Sequence, residues 1–304
     1  MRFVFFGTGS FAVPALRALR ESVVLVVTQP DRPSGRGMKL KPSEIKLAAE
    51  ELGLPVETPL KARDGEFVAK IEALDADALI VASYGQILSE RLLNSAKHGG
   101  INLHGSLLPE YRGAAPIQRA ILDGQRETGV TLMQMDRGMD TGDEIDRVAT
   151  LIGPDETYGE LQDRLSLLAA DLILQWAPRI AAGEYPRTPQ PAEGATLAPK
   201  IERAETELSV ERSAHAEYDR FRAFTPSPGV FLSTTNGVVK ISEARRSPEL
   251  GVPGEVLRGG EGCLIAFEGG AIDLIQVQPE GKRRMSGKDF ANGYRLRPGS
   301  RIVP

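Results

Sequence analysis

The sequence has one cysteine, Cys263, among 304 residues, and this scarcity excludes several classes of protein. A single thiol cannot form an intramolecular disulfide framework or a cysteine metal cluster. No apolar run reaches the roughly 18 residues that a membrane span requires. The apolar run at the N-terminus is too short for a signal peptide. The composition therefore predicts a cytoplasmic protein that does not span a membrane.

The sequence also lacks a large net charge, since its formal charge is −4. This balance argues against a protein that binds nucleic acid over its whole surface, but two stretches are locally basic. The segment 30–42 sets four basic residues against Asp31, and the segment 281–304 sets seven against Asp289. Each stretch is either a solvated surface or a contact for a phosphate backbone, and charge alone leaves both interpretations open.

The first half of the chain alternates apolar runs with amphipathic helical segments. The runs Phe3–Phe6, Val23–Val27 and Ala78–Ala82 are continuously apolar, which is typical of strands buried on both faces. The pattern predicts an α/β fold with a Rossmann-like, mostly parallel sheet in the N-terminal domain.

The second half changes character after a proline-rich stretch from Pro186 to Pro199. Beyond it, about five short strands separated by glycines, with a hairpin turn at Thr235-Asn236-Gly237, predict a small antiparallel β-barrel. The predicted organisation is an α/β domain over 1–185, a semi-rigid linker over 186–206 and a barrel domain over 207–304.

The stretch Gly99–Gly113 contains the most informative polar residues. In a short strand, Asn102 and His104 point to the same face, and Gly105 then ends the strand. An amide can donate to a developing oxyanion and an imidazole can transfer a proton near neutral pH, so the pair suits acyl transfer. The alternative is that His104 is a satisfied histidine in a half-buried strand.

Three carboxylates follow in the glycine-punctuated loop from Asp136 to Asp143. One of Asp136, Asp140 and Asp143 could orient the His104 imidazole, as in a His/Asp pair. A cation site is the alternative, although the Asp-x-Asp-x-Asp ladder of a calcium loop is absent. Spacing alone does not choose among the three.

Four segments together carry a resemblance to a known family. They are Thr28-Gln29-Pro30-Asp31-Arg32-Pro33-x-Gly35-Arg36-Gly37, Tyr84-Gly85-x-Ile87-Leu88, Asn102-x-His104-Gly105-Ser106-Leu107-Leu108-Pro109-x-Tyr111-Arg112-Gly113-Ala114-Ala115-Pro116-Ile117-Gln118, and Asp136-x-Gly138-x-Asp140-Thr141-Gly142. In this order they closely resemble the formyltetrahydrofolate-dependent formyltransferases. The likeness covers nearly the whole chain, including the stretch 285–290, which is typical of the members that act on tRNA.

The resemblance implies transfer of a formyl group from 10-formyltetrahydrofolate to the α-amino group of methionine on initiator tRNA. It implies Asn102, His104 and Asp140 as the catalytic residues, and it requires no metal. The folate pocket that it implies is lined by Ser106, Leu107, Leu108, Pro109, Tyr84, Gly85 and Ile87.

The resemblance also implies how tRNA binds. The basic loop looks like the family's insertion into the acceptor arm, and the C-terminal barrel looks like its oligonucleotide-binding (OB-like) domain. The residues expected to contact tRNA are Arg32, Arg36, Lys39, Lys41, Lys282, Arg283 and Arg284. We expect a monomer in the cytoplasm that binds initiator methionyl-tRNA and the folate co-substrate and contacts no membrane.

Rival interpretations are weaker. A formyltransferase for an amino-sugar nucleotide can share the central segment, but the two basic stretches favour RNA. A free-standing glycinamide ribonucleotide formyltransferase lacks the second domain. A non-catalytic RNA-binding module need not keep Asn102, His104 and Asp140. A dehydrogenase rests on Gly7-x-Gly9-x-x-Ala12 with Asp31, and that aspartate opens a flexible loop instead of ending a strand.

Overall fold

The computed structural model describes residues 1–34, 39–257 and 262–303. Within them the chain forms two compact units, each assembled from separate stretches of sequence. The first unit comprises Met1–Pro116, Glu127–Leu151 and Gln162–Pro199. The second comprises Ile117–Arg126, Ile152–Leu161 and Lys200–Pro304. The helices are α1 (Val13–Leu19), α2 (Glu44–Glu51), α3 (Gly65–Glu72), α4 (Glu90–Leu93), α5 (Pro116–Leu122), α6 (Tyr158–Ala182), α7 (Ala214–Phe224) and α8 (Gly287–Gly293).

The first unit is built on a seven-stranded sheet with the order β10-β9-β7-β6-β1-β2-β5. Its central strands are parallel, whereas β9 and β10 add antiparallel strands at one edge. The strands of this unit, including two short pairs outside the sheet, are β1 (Phe3–Gly7), β2 (Val23–Val27), β3 (Arg32–Ser34), β4 (Lys39–Lys41), β5 (Val56–Glu57), β6 (Ala78–Ala82), β7 (Gly100–His104), β8 (Arg112–Gly113), β9 (Glu127–Gln134), β10 (Glu144–Leu151) and β11 (Leu197–Ala198).

Burial explains why these runs became parallel strands. Every residue of β1, β6 and β7 is buried, so both faces of the central sheet are covered, as the continuous apolar runs predicted. The chain goes from β1 outward to β2 and β5, then returns to place β6 on the other side of β1. Such a reversal opens a crevice at the carboxyl ends of the strands, where open α/β sheets bind ligands.

Helix boundaries follow local capping chemistry. The Ser43 side chain accepts from the backbone N–H of Lys46 at the start of α2, and Gly53, with φ +68°, follows its end. Among the described residues, α6 is the one helix long and apolar enough to cross a membrane, by length and composition alone. Half of its most apolar window is buried, and core helices of soluble proteins have the same properties.

The second unit is built on a smaller sheet with the order β12-β13-β14-β16-β15, and β17 pairs with β16. Its strands are β12 (Glu207–Leu208), β13 (Val230–Thr234), β14 (Gly237–Ser247), β15 (Cys263–Phe267), β16 (Gly270–Pro279) and β17 (Met285–Ser286). Just beyond β15, the N–H of Glu268 donates to the Val210 carbonyl just beyond β12, at 3.0 Å. The two outer strands of the sheet therefore approach each other, in keeping with the predicted barrel.

Two segments differ from the sequence-based expectation. The stretch 254–257 is one of the five or so short strands that the glycine-separated pattern predicts for the barrel, but it makes only isolated bridges from Glu255 and Val256. The stretch 186–199, predicted as part of a linker, belongs to the first unit, and its strand β11 pairs with β8. Local sequence could not show this pairing, because a two-residue strand has no periodicity.

Candidate active site

The polar pair of β7 lies at the carboxyl end of the sheet. Asn102 and His104 share one face of the strand, while Ile101 and Leu103 fill the other, as the pleat requires. Because β7 lies between β6 and β9, both polar side chains are buried, with exposures of 9% for Asn102 and 5% for His104. A buried polar group needs partners, and the partners of both residues come from loops beyond the strand.

His104 contacts a partner through each ring nitrogen. Its Nε2 lies 2.9 Å from the carbonyl oxygen of Tyr111, and its Nδ1 lies 3.6 Å from Oδ2 of Asp140. Because a carbonyl only accepts hydrogen bonds, Nε2 carries the proton in this arrangement. The Asp140 carboxylate lies on the Nδ1 side, so the ring has a polar partner at each nitrogen.

Asp140 is the carboxylate that the structure brings to His104. Its Oδ2 accepts from the backbone N–H of Gly113 at 2.9 Å, and its Oδ1 lies 3.4 Å from the Asn102 amide nitrogen. The residue adopts φ +55°, a conformation that non-glycine residues rarely hold. Asn102, His104 and Asp140 thus form one contiguous cluster.

The other two aspartates of the loop have different partners. Asp136 accepts from the Gly138 N–H at 2.9 Å and from the Thr141 hydroxyl at 2.8 Å, both within the loop. Asp143 pairs with Arg187 at 3.0 Å. Geometry therefore makes the choice that spacing left open. In the part of the chain that the structure describes, no group of three or more His, Cys, Asp or Glu side chains is arranged to hold a metal ion.

The predicted folate loop, residues 106–109, is stabilised by hydrogen bonds from β9. The Thr131 hydroxyl donates to the Ser106 carbonyl at 2.7 Å and accepts from the Leu108 N–H at 3.0 Å. The Ser106 hydroxyl donates to the Glu110 carbonyl, so it stabilises the loop itself. Leu108 is buried, whereas Leu107 and Pro109 are partly exposed and can face a ligand.

The residues of the second predicted folate segment, Tyr84, Gly85 and Ile87, differ in how accessible they are to a ligand. The Tyr84 ring is buried edge-on against Phe6, with ring centres 5.2 Å apart, and burial raises the pKa of its hydroxyl to about 12. The Tyr84 side chain is therefore a core group, and the prediction that it lines the pocket needs correction, because only its backbone lies at the sheet edge. Gly85 adopts φ +79°, and a Cβ there would lie 2.5 Å from the Gln29 amide. Ile87 is 92% exposed.

Those predicted tRNA contacts whose side chains the structure describes are exposed. Strands β3 and β4 form a hairpin in which Arg32 stands directly opposite Lys41. Arg36 lies outside the described residues, and so does the side chain of Lys39. In the second unit, the turn between β16 and β17 exposes three consecutive basic residues, which are Lys282, Arg283 and Arg284.

Comparison with known proteins places this geometry in a family. Residues 1–176 match the model of the family described as formyl transferase, and residues 200–295 match the formyl transferase C-terminal domain. The chain belongs to the formyl transferase family. Together the two matches cover most of the chain and leave out residues 177–199 between them.

Relatives within the family are similar over their full length. The methionyl-tRNA formyltransferase of Symbiobacterium thermophilum is 46% identical over 312 residues, covering 100% of this chain and 96% of that protein. The methionyl-tRNA formyltransferase of Myxococcus xanthus is 43% identical over 302 residues, covering 98% of this chain and 97% of that protein.

Solved structures of more distant proteins share the fold. An N-formyltransferase from Helicobacter canadensis, solved with folinic acid and dTDP-3-aminofucose, is 19% identical with a TM-score of 0.66, over 90% of this chain and 98% of that chain. HypX from Aquifex aeolicus, solved with tetrahydrofolic acid, is 18% identical with a TM-score of 0.67, over 97% of this chain and 47% of that chain. These similarities support the fold assignment alone.

Sequence reasoning missed several residues that support the site. Gln190 donates to backbone carbonyls of the Asp140 loop, and the Thr196 hydroxyl accepts from the Tyr111 N–H. The Thr131 hydroxyl stabilises the predicted folate loop by donating to the Ser106 carbonyl. Gln190 and Thr196 lie in a proline-rich stretch without periodicity, so their sequence gave no signal. For Thr131, the alternation of residues along β9 could have predicted that its side chain points inward.

Proposed function

We propose that Asn102, His104 and Asp140 catalyse formyl transfer from 10-formyltetrahydrofolate to the α-amino group of methionyl-initiator tRNA. The observation that carries the proposal is the convergence of the three side chains, with Asp140 facing both Asn102 and the His104 ring. The product is N-formylmethionyl-tRNA, which is used in translation initiation, and tetrahydrofolate is released.

The reaction requires a neutral amine, an oxyanion donor and a path for one proton. The amine nitrogen attacks the formyl carbon, which forms the new C–N bond and turns the carbonyl oxygen into an oxyanion. Collapse of this intermediate breaks the bond to N10 of the folate. The proton lost by the amine is transferred to N10, so that no net charge is created. The protein must stabilise the oxyanion and carry that proton.

Asn102 suits the oxyanion because its amide has two N–H groups and only one is directed at Asp140. His104 can donate as well, provided that Nε2 exchanges the Tyr111 carbonyl for the formyl oxygen, since Nδ1 faces Asp140. Asp140 is suited to carry the proton that the amine loses, because its side chain is 17% exposed at the edge of the buried cluster. Stabilisation of an oxyanion by one preorganised donor contributes about 3 to 4 kcal/mol.

Charge on the surface supports a polyanionic acceptor. Arg32 and Lys41 are cross-strand neighbours in the β3–β4 hairpin, and such like charges repel each other, although Lys41 also pairs with Glu44 at 3.2 Å. Asp31, the acidic residue of this loop, pairs with Lys46 at 2.9 Å, so its charge is already compensated. The exposed turn 282–284 would provide a second contact for the phosphate backbone.

We also propose that the protein acts as a cytoplasmic monomer without membrane contact. Its acceptor, charged tRNA, is a soluble molecule of the cytoplasm, and each chain supplies all three catalytic residues. Light scattering of the purified protein at micromolar concentration should give a mass near 33 kDa. A stable dimer would contradict the monomer assignment and leave the catalytic assignment untouched.

The acceptor is tested by competition between substrates. Radiolabelled 10-formyltetrahydrofolate is offered with charged initiator tRNA and with a nucleotide-linked amino sugar in parallel reactions. We expect label on the tRNA alone. Label on the sugar would keep the catalytic residues but refute the tRNA assignment, and label on neither would refute formyl transfer itself.

A further inference from the structure

The segment 186–199 contacts two loops of the site, the loop that carries Asp140 and the loop after β7 that carries Tyr111. Near its start, Thr188 exchanges two backbone hydrogen bonds with Glu144, just after the Asp140 loop, at 2.8 and 2.9 Å. Near its end, β11 pairs with β8, the strand that follows Tyr111. Gly113 allows this close approach, because a Cβ there would lie 2.8 Å from the Ala198 carbonyl.

Within this segment, the Gln190 amide holds the backbone around Asp140. Its Nε2 donates to the Asp140 carbonyl at 2.9 Å and to the Gly142 carbonyl at 2.7 Å. Its Oε1 accepts from the Arg112 guanidinium at 2.7 Å. Both donors and the acceptor are therefore engaged at once, which fixes the orientation of the amide. Asp140 needs such support, because its φ of +55° is unfavourable for a residue with a Cβ.

Thr196 acts in the same way on the other loop. Its hydroxyl accepts from the Tyr111 N–H at 2.8 Å, and the Tyr111 carbonyl in turn faces Nε2 of His104 at 2.9 Å. Tyr111 also has a positive φ, +58°. A single residue thus separates Thr196 from the imidazole, and the hydroxyl restrains the peptide that carries the histidine's acceptor.

We infer that Gln190 and Thr196 are positioning residues for formyl transfer, which hold Asp140 and His104 through the backbone of the two loops. Neither residue is assigned a part in the chemistry, since neither side chain bonds to the catalytic side chains themselves. The inference rests on the proposed function of the catalytic residues. It predicts that contacts made by the segment 186–199 affect the rate of the chemical step.

The test uses isosteric pairs in the full-length protein. Thr196→Val removes the acceptor at constant shape, whereas Thr196→Ser keeps it. Gln190→Glu keeps an acceptor for Arg112 but has no N–H for the two carbonyls. Glu193→Ala is the matched control, because Glu193 lies exposed in the same segment. For each variant, kcat, KM for both substrates and the pH dependence of kcat are measured.

We expect Thr196→Val and Gln190→Glu to lower kcat about 10- to 100-fold, the effect of misplacing a catalytic group by up to about 1 Å. Their KM values should stay within about twofold, and the pH profile of kcat should shift because the His104–Asp140 pair is rearranged. Thr196→Ser and Glu193→Ala should match the wild type in kcat and pH profile.

Three results would overturn the inference while leaving the proposed function intact. The first is an unchanged kcat and pH profile in Thr196→Val and Gln190→Glu while Asp140→Asn is inactive. The second is a lower melting temperature of these two variants with a normal kcat per folded molecule. The third is a kcat of Thr196→Ser that is as low as that of Thr196→Val. The proposed function itself would fail on a different observation, namely absence of formyl transfer to tRNA by the wild-type protein.

Discussion

His104 has a partner on each nitrogen, and this pairing limits how the residue can act. With Nε2 donating to Tyr111 and Nδ1 facing Asp140, the ring is fixed in orientation before any substrate binds. Asn102 keeps one amide N–H that is not directed at Asp140. Of the two side chains, we therefore expect Asn102 to be the more direct donor for an oxyanion.

Replacement of Asn102 tests this division of roles. We expect Asn102→Ala to lower kcat about 100- to 1,000-fold, as for loss of one oxyanion donor, with KM for tRNA within about twofold. Asn102→Asp should be at least as damaging, since it places a second carboxylate beside Asp140. Asn94→Ala is the control, because Asn94 is exposed at the end of α4. A fall of less than about fivefold in Asn102→Ala would contradict the donor role.

The sequence predicted which three polar side chains lie together at the site, but not what holds them. The i, i+2 spacing of Asn102 and His104 in a strand was sufficient to place both on one face. Spacing could not select Asp140, because the selection depends on Thr141 and Arg187 engaging the other two aspartates. Those contacts are set by loop conformation and by the return of residues 186–190 to the site.

The β3–β4 hairpin carries two basic side chains next to each other. Arg32 and Lys41 face each other across the strands, and both are exposed. Lys41 also pairs with Glu44 at 3.2 Å, but an exposed pair of this kind contributes little to stability. The element therefore has a surplus of positive charge in a position to meet an anion.

Neutralising this element should weaken tRNA binding in a salt-dependent way. We expect Arg32→Ala and Lys41→Ala each to raise KM for tRNA about 3- to 10-fold at low salt and to flatten the salt dependence by about one ion. The measurement is KM for tRNA between 50 and 200 mM salt. Arg20→Ala is the control, because Arg20 is exposed and lies just before β2, whereas the hairpin follows the other end of that strand. An unchanged salt slope would make the hairpin a solvated surface.

Among elements, the long ones were predictable and the short ones were not. The runs that became β1, β2 and β6 are continuously apolar, and the caps of α2 are visible as Ser43 and Gly53. By contrast, β8 and β11 have two residues each and exist because they pair with each other. The proline-rich composition suggested a linker at 186–199, because composition alone cannot reveal the backbone hydrogen bonds that this stretch makes to distant loops.

In the molecule as a whole, contacts between residues that are far apart in the sequence hold the second unit together. Arg119, in α5, donates to both carboxylate oxygens of Glu205, at 2.6 and 2.9 Å. The two residues come from separate stretches of the chain that join in this unit. The hydrogen bond from Arg119 is the main cause that holds the pKa of Glu205 below its usual range.

This lowered pKa gives a stability difference with a defined pH window. Because the carboxyl has a lower pKa in the folded than in the unfolded state, the pair stabilises the fold above the unfolded value of about 4.3. That stabilisation is lost as the pH falls through the folded-state pKa. We expect Glu205→Gln to lower the free energy of unfolding by about 1 kcal/mol at pH 7, after allowance for solvent screening.

The measurement is urea unfolding at several pH values from 7 down to 3.5. The deficit of Glu205→Gln relative to the wild type should shrink as the pH falls below about 4. Glu211→Gln serves as a control for the loss of an exposed carboxylate in the same unit, and its unfolding should follow the wild type throughout. A deficit in Glu205→Gln that does not change with pH would show that the charge is not its cause.

The two-part organisation was predictable in outline, because periodicity changes after the proline-rich stretch. The compact units nevertheless interleave along the chain, with Ile117–Arg126 and Ile152–Leu161 grouped with the C-terminal part. The boundaries 1–185, 186–206 and 207–304 stay a prediction about domains. No linear division could anticipate this grouping, since it depends on long-range contacts such as Arg119–Glu205.

A catalytic role for Asp140 is tested by comparing the rate of chemistry with tRNA binding in the Asp140→Asn variant. Single-turnover formyl transfer from 10-formyltetrahydrofolate is timed with saturating charged initiator tRNA, and the Kd for tRNA is measured on the same preparation. A catalytic role predicts a rate about 1,000-fold below that of the wild type, with the Kd for tRNA unchanged within about twofold. A rate within tenfold of the wild type, or a loss of tRNA affinity as large as the loss of rate, would contradict it.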